Sequence, residues 1–140
     1  MIEISIAQAA AASRRPGRSS SRSQETGEGQ ADYHRYCPGE TWKPAVNLYE
    51  DDANYYVVVD LSGSGSQSIE VHYHEGELII AGHRPTPPPP ACVGELRLHH
   101  MEIDHGQFQR AVRMPANIKV DEIDAIYRTG QLLITVPKQD

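Results

Sequence analysis

Seven histidines are the chain's densest stock of reactive side chains, and five of them fall in two groups: His72 with His74, and His99, His100 and His105. Imidazole is a good ligand for zinc or copper, and a His-x-His pair on a strand directs both rings to one side. Structural zinc sites close with four ligands at regular spacing, however, and neither Cys-x-x-Cys nor His-Glu-x-x-His occurs. A solvated polar face accounts for His72 and His74 more simply, and no metal or other cofactor is expected. Nucleophilic chemistry is no better specified. Ser62-Gly-Ser-Gly-Ser is not a Gly-x-Ser-x-Gly elbow, no Gly-Lys-Ser/Thr phosphate loop is present, and Cys37 precedes Pro-Gly with no base beside it. Covalent catalysis needs a positioned base and an oxyanion site, so the sequence argues against an enzyme, against ATP use and against a small-molecule substrate. One charged residue does ask for a partner. By period-two counting Arg110 shares a strand face with Phe108, Val112 and Met114, where an unpaired guanidinium is costly. Glu102 and Asp104 are nearby carboxylates for it; a subunit seam, or an ordinary strand-edge role with its stem over apolar surface, is the alternative.

The elements that must position these residues are strands. Apolar residues recur with a period of two through Val46-Asn-Leu48, Tyr55-Tyr-Val57-Val-Val59-Asp-Leu61, Ile69-Glu-Val71-His-Tyr73, Leu78-Ile-Ile80, Phe108 to Met114, and Leu132-Leu-Ile134-Thr-Val136. The set Tyr55, Val57, Val59 and Leu61 is expected to face a core, each contributing on the order of 1.5–3 kcal/mol when fully buried. Glu75-Gly76 and Thr129-Gly130 fall where neighbouring strands must turn. Pro85-Thr-Pro-Pro-Pro-Pro cannot donate to a ladder and must leave the sheet. A mixed segment, Leu96-Arg-Leu98-His-His100-Met101-Glu-Ile103, is then able to form one more strand. Residues 13–30 are nearly devoid of apolar side chains and cannot offset the entropy of ordering. The expected organisation is a flexible N-terminal arm over residues 1–41, a β domain over 42–138 with a projecting loop at 84–105, and a tail at 139–140.

Bulk properties narrow the partners. A chain of 140 residues suits one domain. The net charge is -6, and beyond residue 41 eight basic residues face fourteen acidic ones. An acidic body argues against a phosphate-backbone partner, because nucleic-acid binding relies on neutralising phosphates with Lys and Arg. The Arg14-Arg-Pro-Gly-Arg18 cluster reads as solvated chain. No stretch is long enough to span a bilayer, the opening residues lack a positive region before their apolar run, and two cysteines outside the strands suit a reducing compartment. The expected location is the cytoplasm, with no membrane partner.

Gly106-x-Phe108-x-Arg110-x-Val112-x-Met114-Pro115, followed by Ala125-x-x-x-x-Gly130-x-Leu132 and by Val136-Pro137-Lys138, resembles the end of an alpha-crystallin domain, the core of the small heat-shock proteins. Ile69-x-Val71 and Leu78-x-Ile80-x-Gly82 are similar to earlier strands of the same domain. Met114 stands where Leu is usual, and Ser62-Gly63 follows Leu61 where Pro-Gly is usual. The resemblance spans residues 42–138. It implies an all-β, immunoglobulin-like antiparallel sandwich acting as an ATP-independent chaperone, a holdase for exposed apolar segments of unfolding proteins. It also implies a homodimer or small oligomer in which Arg110 lies near the interface, and a loop strand carrying Leu96, Leu98, Met101 and Ile103 crosses to the second subunit. Ile69, Val71 and Tyr73, with Ile123, Ala125 and Tyr127, belong to the strands that flank the client groove, although their alternation equally suits core positions. Large shells in the family use an Ile-x-Ile motif beyond Val-Pro-Lys, where this sequence reads Gln139-Asp140, so small assemblies are expected. A related co-chaperone adaptor sandwich and a His-rich metal-binding protein are the rival readings.

Overall fold

Alternation of side chains decides the architecture. The computed structural model describes residues 1–8, 41–86 and 91–140. In strand order the described chain runs β1 (Ile2–Ile4), β2 (Ile6–Gln8), β3 (Val46–Glu50), β4 (Asn54–Asp60), β5 (Ile69–His74), β6 (Glu77–Arg84), β7 (Gly106–Arg113), β8 (Asp124–Arg128) and β9 (Gln131–Pro137), with short 3₁₀ turns at Ser66–Ser68 and Val120–Glu122. They form two sheets, a four-stranded one in the order β1-β5-β6-β7 and a five-stranded one in the order β2-β8-β9-β4-β3. This is the all-β two-sheet sandwich expected from the strand pattern.

Between the sheets lies a single core. Val57, Val59 and Leu61 of the β4 segment and Leu132, Ile134 and Val136 of β9 are wholly inaccessible, and they meet Val71, Leu78, Ile80 and Phe108 from the other sheet. Tyr55 joins them, so the expected inward set of β4 is the observed one. Both Gly-containing turns are two-residue loops with positive φ at each position: Glu75 at 47° and Gly76 at 84°, Thr129 at 49° and Gly130 at 80°. That geometry matches the right-handed twist of the strands it joins, and it sets the registers His74↔Glu77 and Arg128↔Gln131.

One expectation is corrected. Residues 2–8, assigned to the arm, form β1 and β2; the residues assigned to its remainder, 9–40, lie outside the described residues. The physical reason is that Ile2, Ile4 and Ile6 alternate at the strand period, and Ile4 reaches the core at 7% exposure. Within the single chain residues 91–105 contain no strand. Among the paired strands described, β2 with β8 is the parallel pair, and the others are antiparallel.

Candidate functional site

A sandwich of open sheets has edges, and each edge presents backbone N–H and C=O groups that await a partner. β5 and β8 are side by side in this sense: each would be the outer strand of its sheet but for the N-terminal segment. From β5, Ile69 and Val71 turn into the core and Tyr73 is half-buried; from β8, Ala125 is fully buried and Tyr127 half-buried, with Ile123 half-buried just before the strand. The Tyr127 hydroxyl is shared between the carbonyl oxygens of Leu61 at 3.0 Å and Ser64 at 2.7 Å. Burial, and then the charge of Asp60, raise its pKa above the ordinary phenol value. The six residues assigned to a groove lie on or just before these two strands, and of them Ile69, Val71 and Ala125 spend their side chains on the core.

What the sequence reading missed is the segment that pairs with those two edges. β1 runs antiparallel to β5 in the register Ile2↔Tyr73, Glu3↔His72, Ile4↔Val71. After Ser5 the chain switches sheets, and β2 runs parallel to β8 with Ile6↔Ala125, Ala7↔Ile126 and Gln8↔Tyr127. Ile4 is in the core and Ile6 packs partly against it, whereas Glu3, Ser5 and Ala7 point to solvent. A signal was available, the Ile-x-Ile-x-Ile spacing itself, but the expectation of a flexible arm over residues 1–41 took in the whole segment.

The opposite side of the body holds the residues assigned to a subunit interface. β3 is an outer strand, and its Leu48 and Tyr49 are exposed. In the loop, Leu96 is 55% and Leu98 46% exposed; Ile103 is exposed and Met101 half-buried. Arg110 does sit on the Phe108 and Met114 face, half-buried, beside an open cleft of about 490 Å³ lined also by Thr41, Lys43, Gln109 and Ala111. Its guanidinium donates to the Pro44 carbonyl at 3.3 Å. Neither expected carboxylate pairs with it: Glu102 lies 3.3 Å from His100, and Asp104 offers its backbone carbonyl to Arg84.

Arg84 was overlooked and is the better-positioned arginine. Its Nε donates to the Asp104 carbonyl at 2.7 Å, a second donor reaches the same oxygen, and its guanidinium carbon lies 4.1 Å from the Trp42 ring centroid. Trp42 in turn donates its indole N–H to the Gly106 carbonyl at 3.2 Å and packs on Phe108 with centroids 5.3 Å apart and planes tilted by 58°. The return of the loop to the sheet is thereby pinned. No local pattern links Trp42 to Arg84, which are far apart in the chain.

As for the histidines, His72 lies 3.5 Å from Glu70 and His74 3.7 Å from Glu75. Among the described residues no three of His, Cys, Asp and Glu gather closely enough to hold a metal ion. No helix among them is long and apolar enough to cross a membrane.

This arrangement of strands and edges is shared. Heat shock protein 16 of Schizosaccharomyces pombe is 32% identical over 108 residues, which cover 72% of this chain and 69% of that protein. Among solved structures, hspA from Xanthomonas axonopodis superposes with a TM-score of 0.61 at 30% identity, covering 71% of this chain and 96% of that one. A small heat-shock protein from Xylella fastidiosa gives a TM-score of 0.61 at 30% identity, over 72% of this chain and 90% of its own. The family model for Hsp20/alpha crystallin matches residues 47–140, from the first long strand of the sandwich through Val136-Pro-Lys138. With β4 to β9 inside that match and all of β3 but its first residue, the chain belongs to the Hsp20/alpha crystallin family, the small heat shock proteins, which are typically chaperones and not enzymes.

Proposed function

We propose that the protein is an ATP-independent holdase that takes up exposed apolar segments of unfolding proteins along the edges of β5 and β8. Partly unfolded chains expose apolar side chains and unpaired strand edges together. An edge strand beside apolar pockets answers both, supplying ladder hydrogen bonds and burial at alternate positions. The observation that carries this reading is that Ile2–Ile4 and Ile6–Gln8, an extended apolar segment, pair with those two edges. Ile69, Val71, Tyr73, Ile123, Ala125 and Tyr127 are the groove residues on this reading, the buried ones acting through the backbone they hold in place. Unfolding client proteins are the partners; the exposed thiol of Cys92 suits a reducing compartment, and the cytoplasm is the proposed location.

The test is direct. A thermolabile enzyme is heated alone and with this protein, without nucleotide, while turbidity is followed. Aggregation is expected to be suppressed at equimolar dose; an unchanged turbidity curve sinks the reading.

We also propose a homodimer, in which the loop lays Leu96, Leu98, Met101 and Ile103 along the outer edge of a second copy's β3, with Arg110 close to the seam. Leu48 and Tyr49 on one side and the loop leucines on the other are apolar side chains left in water, and pairing them removes both from it. Leu96→Asp with Leu98→Asp is expected to give a monomer by analytical ultracentrifugation. Because both residues are exposed in the single chain, the thermal midpoint of the sandwich measured at low concentration should move by less than about 2 °C. A variant that remains dimeric rules out this interface.

A further inference from the structure

We infer that the outward face of the five-stranded sheet is a self-association surface, on which a second copy of this chain packs face to face about a twofold axis running along β9. An antiparallel sheet with one solvated face alternates apolar and polar residues, whereas strands covered on both faces read as continuous apolar runs. Three adjacent strands here read in the second way: Val57-Val58-Val59 on β4, Leu132-Leu133-Ile134 on β9 and Ala125-Ile126-Tyr127 on β8. Register brings their middle residues to one level, Ile126 opposite Leu133 and Leu133 opposite Val58. Ile126 and Val58 are half-buried, Leu133 is 37% exposed, and none of the three packs against the core. They form an apolar bar across the sheet that no described element covers. On the outward face of the other sheet Ile79 stands singly, between His72 and Ala111. Ala125 and Tyr127 turn the other way from β8, so the bar is separate from the groove, and the inference does not depend on the chaperone reading.

The charges beside the bar say what covers it. At the next level Arg128, Gln131 and Asp60 stand in line across β8, β9 and β4, all exposed. Arg128 and Asp60 are two strands apart, about 10 Å, too far to pair with each other. Among the described residues no ion pair takes up Arg128. Asp60 accepts from the Ser62 N–H and hydroxyl through one carboxylate oxygen and keeps the other. An axis along β9 lays β8 of one copy over β4 of its partner at the same level. Arg128 then faces Asp60 of the second copy, twice by symmetry, Ile126 faces Val58, and Leu133 meets Leu133. Gln131 meets Gln131, and an amide both donates and accepts. Each group at these two levels finds its complement in a second copy, which is the self-complementarity of an isologous contact. Size sets its strength. Five strands about 4.8 Å apart and three levels of outward side chains make a face on the order of 500 Å², below the roughly 800 Å² per partner of a standard interface. The contact is therefore weak and concentration-dependent.

The full chain carrying Leu96→Asp and Leu98→Asp, which silences the loop contact, is the parent for the test. Its sedimentation is followed from about 10 μM to about 1 mM, the range of a weak contact. It is expected to be a monomer at the low end and to build up a dimer toward the high end. Leu133→Asp, which sets two carboxylates against each other on the axis, should keep it monomeric throughout. Arg128→Asp and Asp60→Arg, made in separate chains, each set like charges face to face and should weaken association at least about tenfold. Mixed one to one, these two chains regain both ion pairs, and the mixture should associate as the parent does. All three positions are exposed, so each variant should keep the parent's far-ultraviolet circular dichroism. A parent that stays monomeric at about 1 mM, where a contact of this size must show, overturns the inference, whether the face is bare or covered by the chain's own residues 9–40. Association that survives Leu133→Asp overturns it as well, and so does a mixture that associates no better than its components. If loss of the Ser62 contacts unfolds the Asp60→Arg chain, Leu133→Asp and Arg128→Asp decide without it. A dimer that persists at the low end counts against the loop contact instead, and the Leu133→Asp comparison still decides this one.

Discussion

Phe108→Ala is expected to lose on the order of 3–5 kcal/mol of folding stability and to lower the thermal midpoint by more than about 10 °C. Phe108 is 1% exposed on β7, the outer strand of the four-stranded sheet, and it meets two separate parts of the chain. It lies opposite Gly82 on β6, it packs against Trp42, and it forms an isolated parallel bridge with Trp42 through the backbone, in which Gln109 N–H donates to the Trp42 carbonyl at 3.2 Å. Removing the ring empties the floor under the indole. The remaining side chains cannot close the space, because Trp42 is held by its indole hydrogen bond to Gly106 and by Arg84 above it. Cavities that cannot collapse are the expensive ones. Trp42 is the chain's single tryptophan, so urea unfolding followed by intrinsic fluorescence reports on this site. A midpoint within about 2 °C of the native protein would show that Phe108 is not a keystone of the sheet.

Gly82→Ala is the second large effect, and its cause is the reverse one. A β-carbon at Gly82 would lie 2.0 Å from the Ser68 carbonyl oxygen and 2.7 Å from the edge of the Phe108 ring. The ring can tilt, but the carbonyl belongs to backbone leading directly into β5. The β5–β6 ladder must therefore shift where Ile69 pairs with Gly82. Forcing atoms into a filled core costs about 1–3 kcal/mol and more where backbone has to move, and here the strand that moves is the one bordering the groove. Loss of stability by denaturant titration, together with faster amide exchange along Ile69–His74, is the expected outcome. The two substitutions should not add. In a Phe108→Ala background the ring contact is gone and the Ser68 contact remains, so the added methyl should cost less than in the native chain but still cost something. Full additivity would mean that Gly82 is needed for a reason other than the space above it.

These results also mark which features can be read along the chain. The inward set Tyr55, Val57, Val59 and Leu61 was legible because a strand puts alternate residues on one face whatever lies opposite. The turns at Glu75-Gly76 and Thr129-Gly130 were legible for a similar reason, since positive φ at two successive positions restricts the residues that can occupy them. Gly82 is different. Its φ is negative, and only the approach of Ser68 and Phe108 explains why no side chain fits there. The family motif pointed to it without supplying that cause.

The candidate site divides in the same way. Sequence placed Ile69, Val71, Tyr73, Ile123, Ala125 and Tyr127 on two strands but carried no information that β5 and β8 would lie in different sheets and both pair with the N-terminal segment. It offered Glu102 and Asp104 to Arg110, judging by nearness in the chain, whereas the folded loop sends Glu102 toward His100 and gives the Asp104 carbonyl to Arg84.

The amino-acid order alone determined the strands, their buried faces, their turns and the family they belong to, because each is encoded by side-chain period and backbone sterics within a few residues. The tertiary structure alone decided which edges stay open and what fills them: that Ile4 and Ile6 seat against β5 and β8, and that Arg84 stacks on Trp42. Such pairings join residues far apart in the chain, and their energy exists only once distant edges have been brought together, so no local pattern can record them.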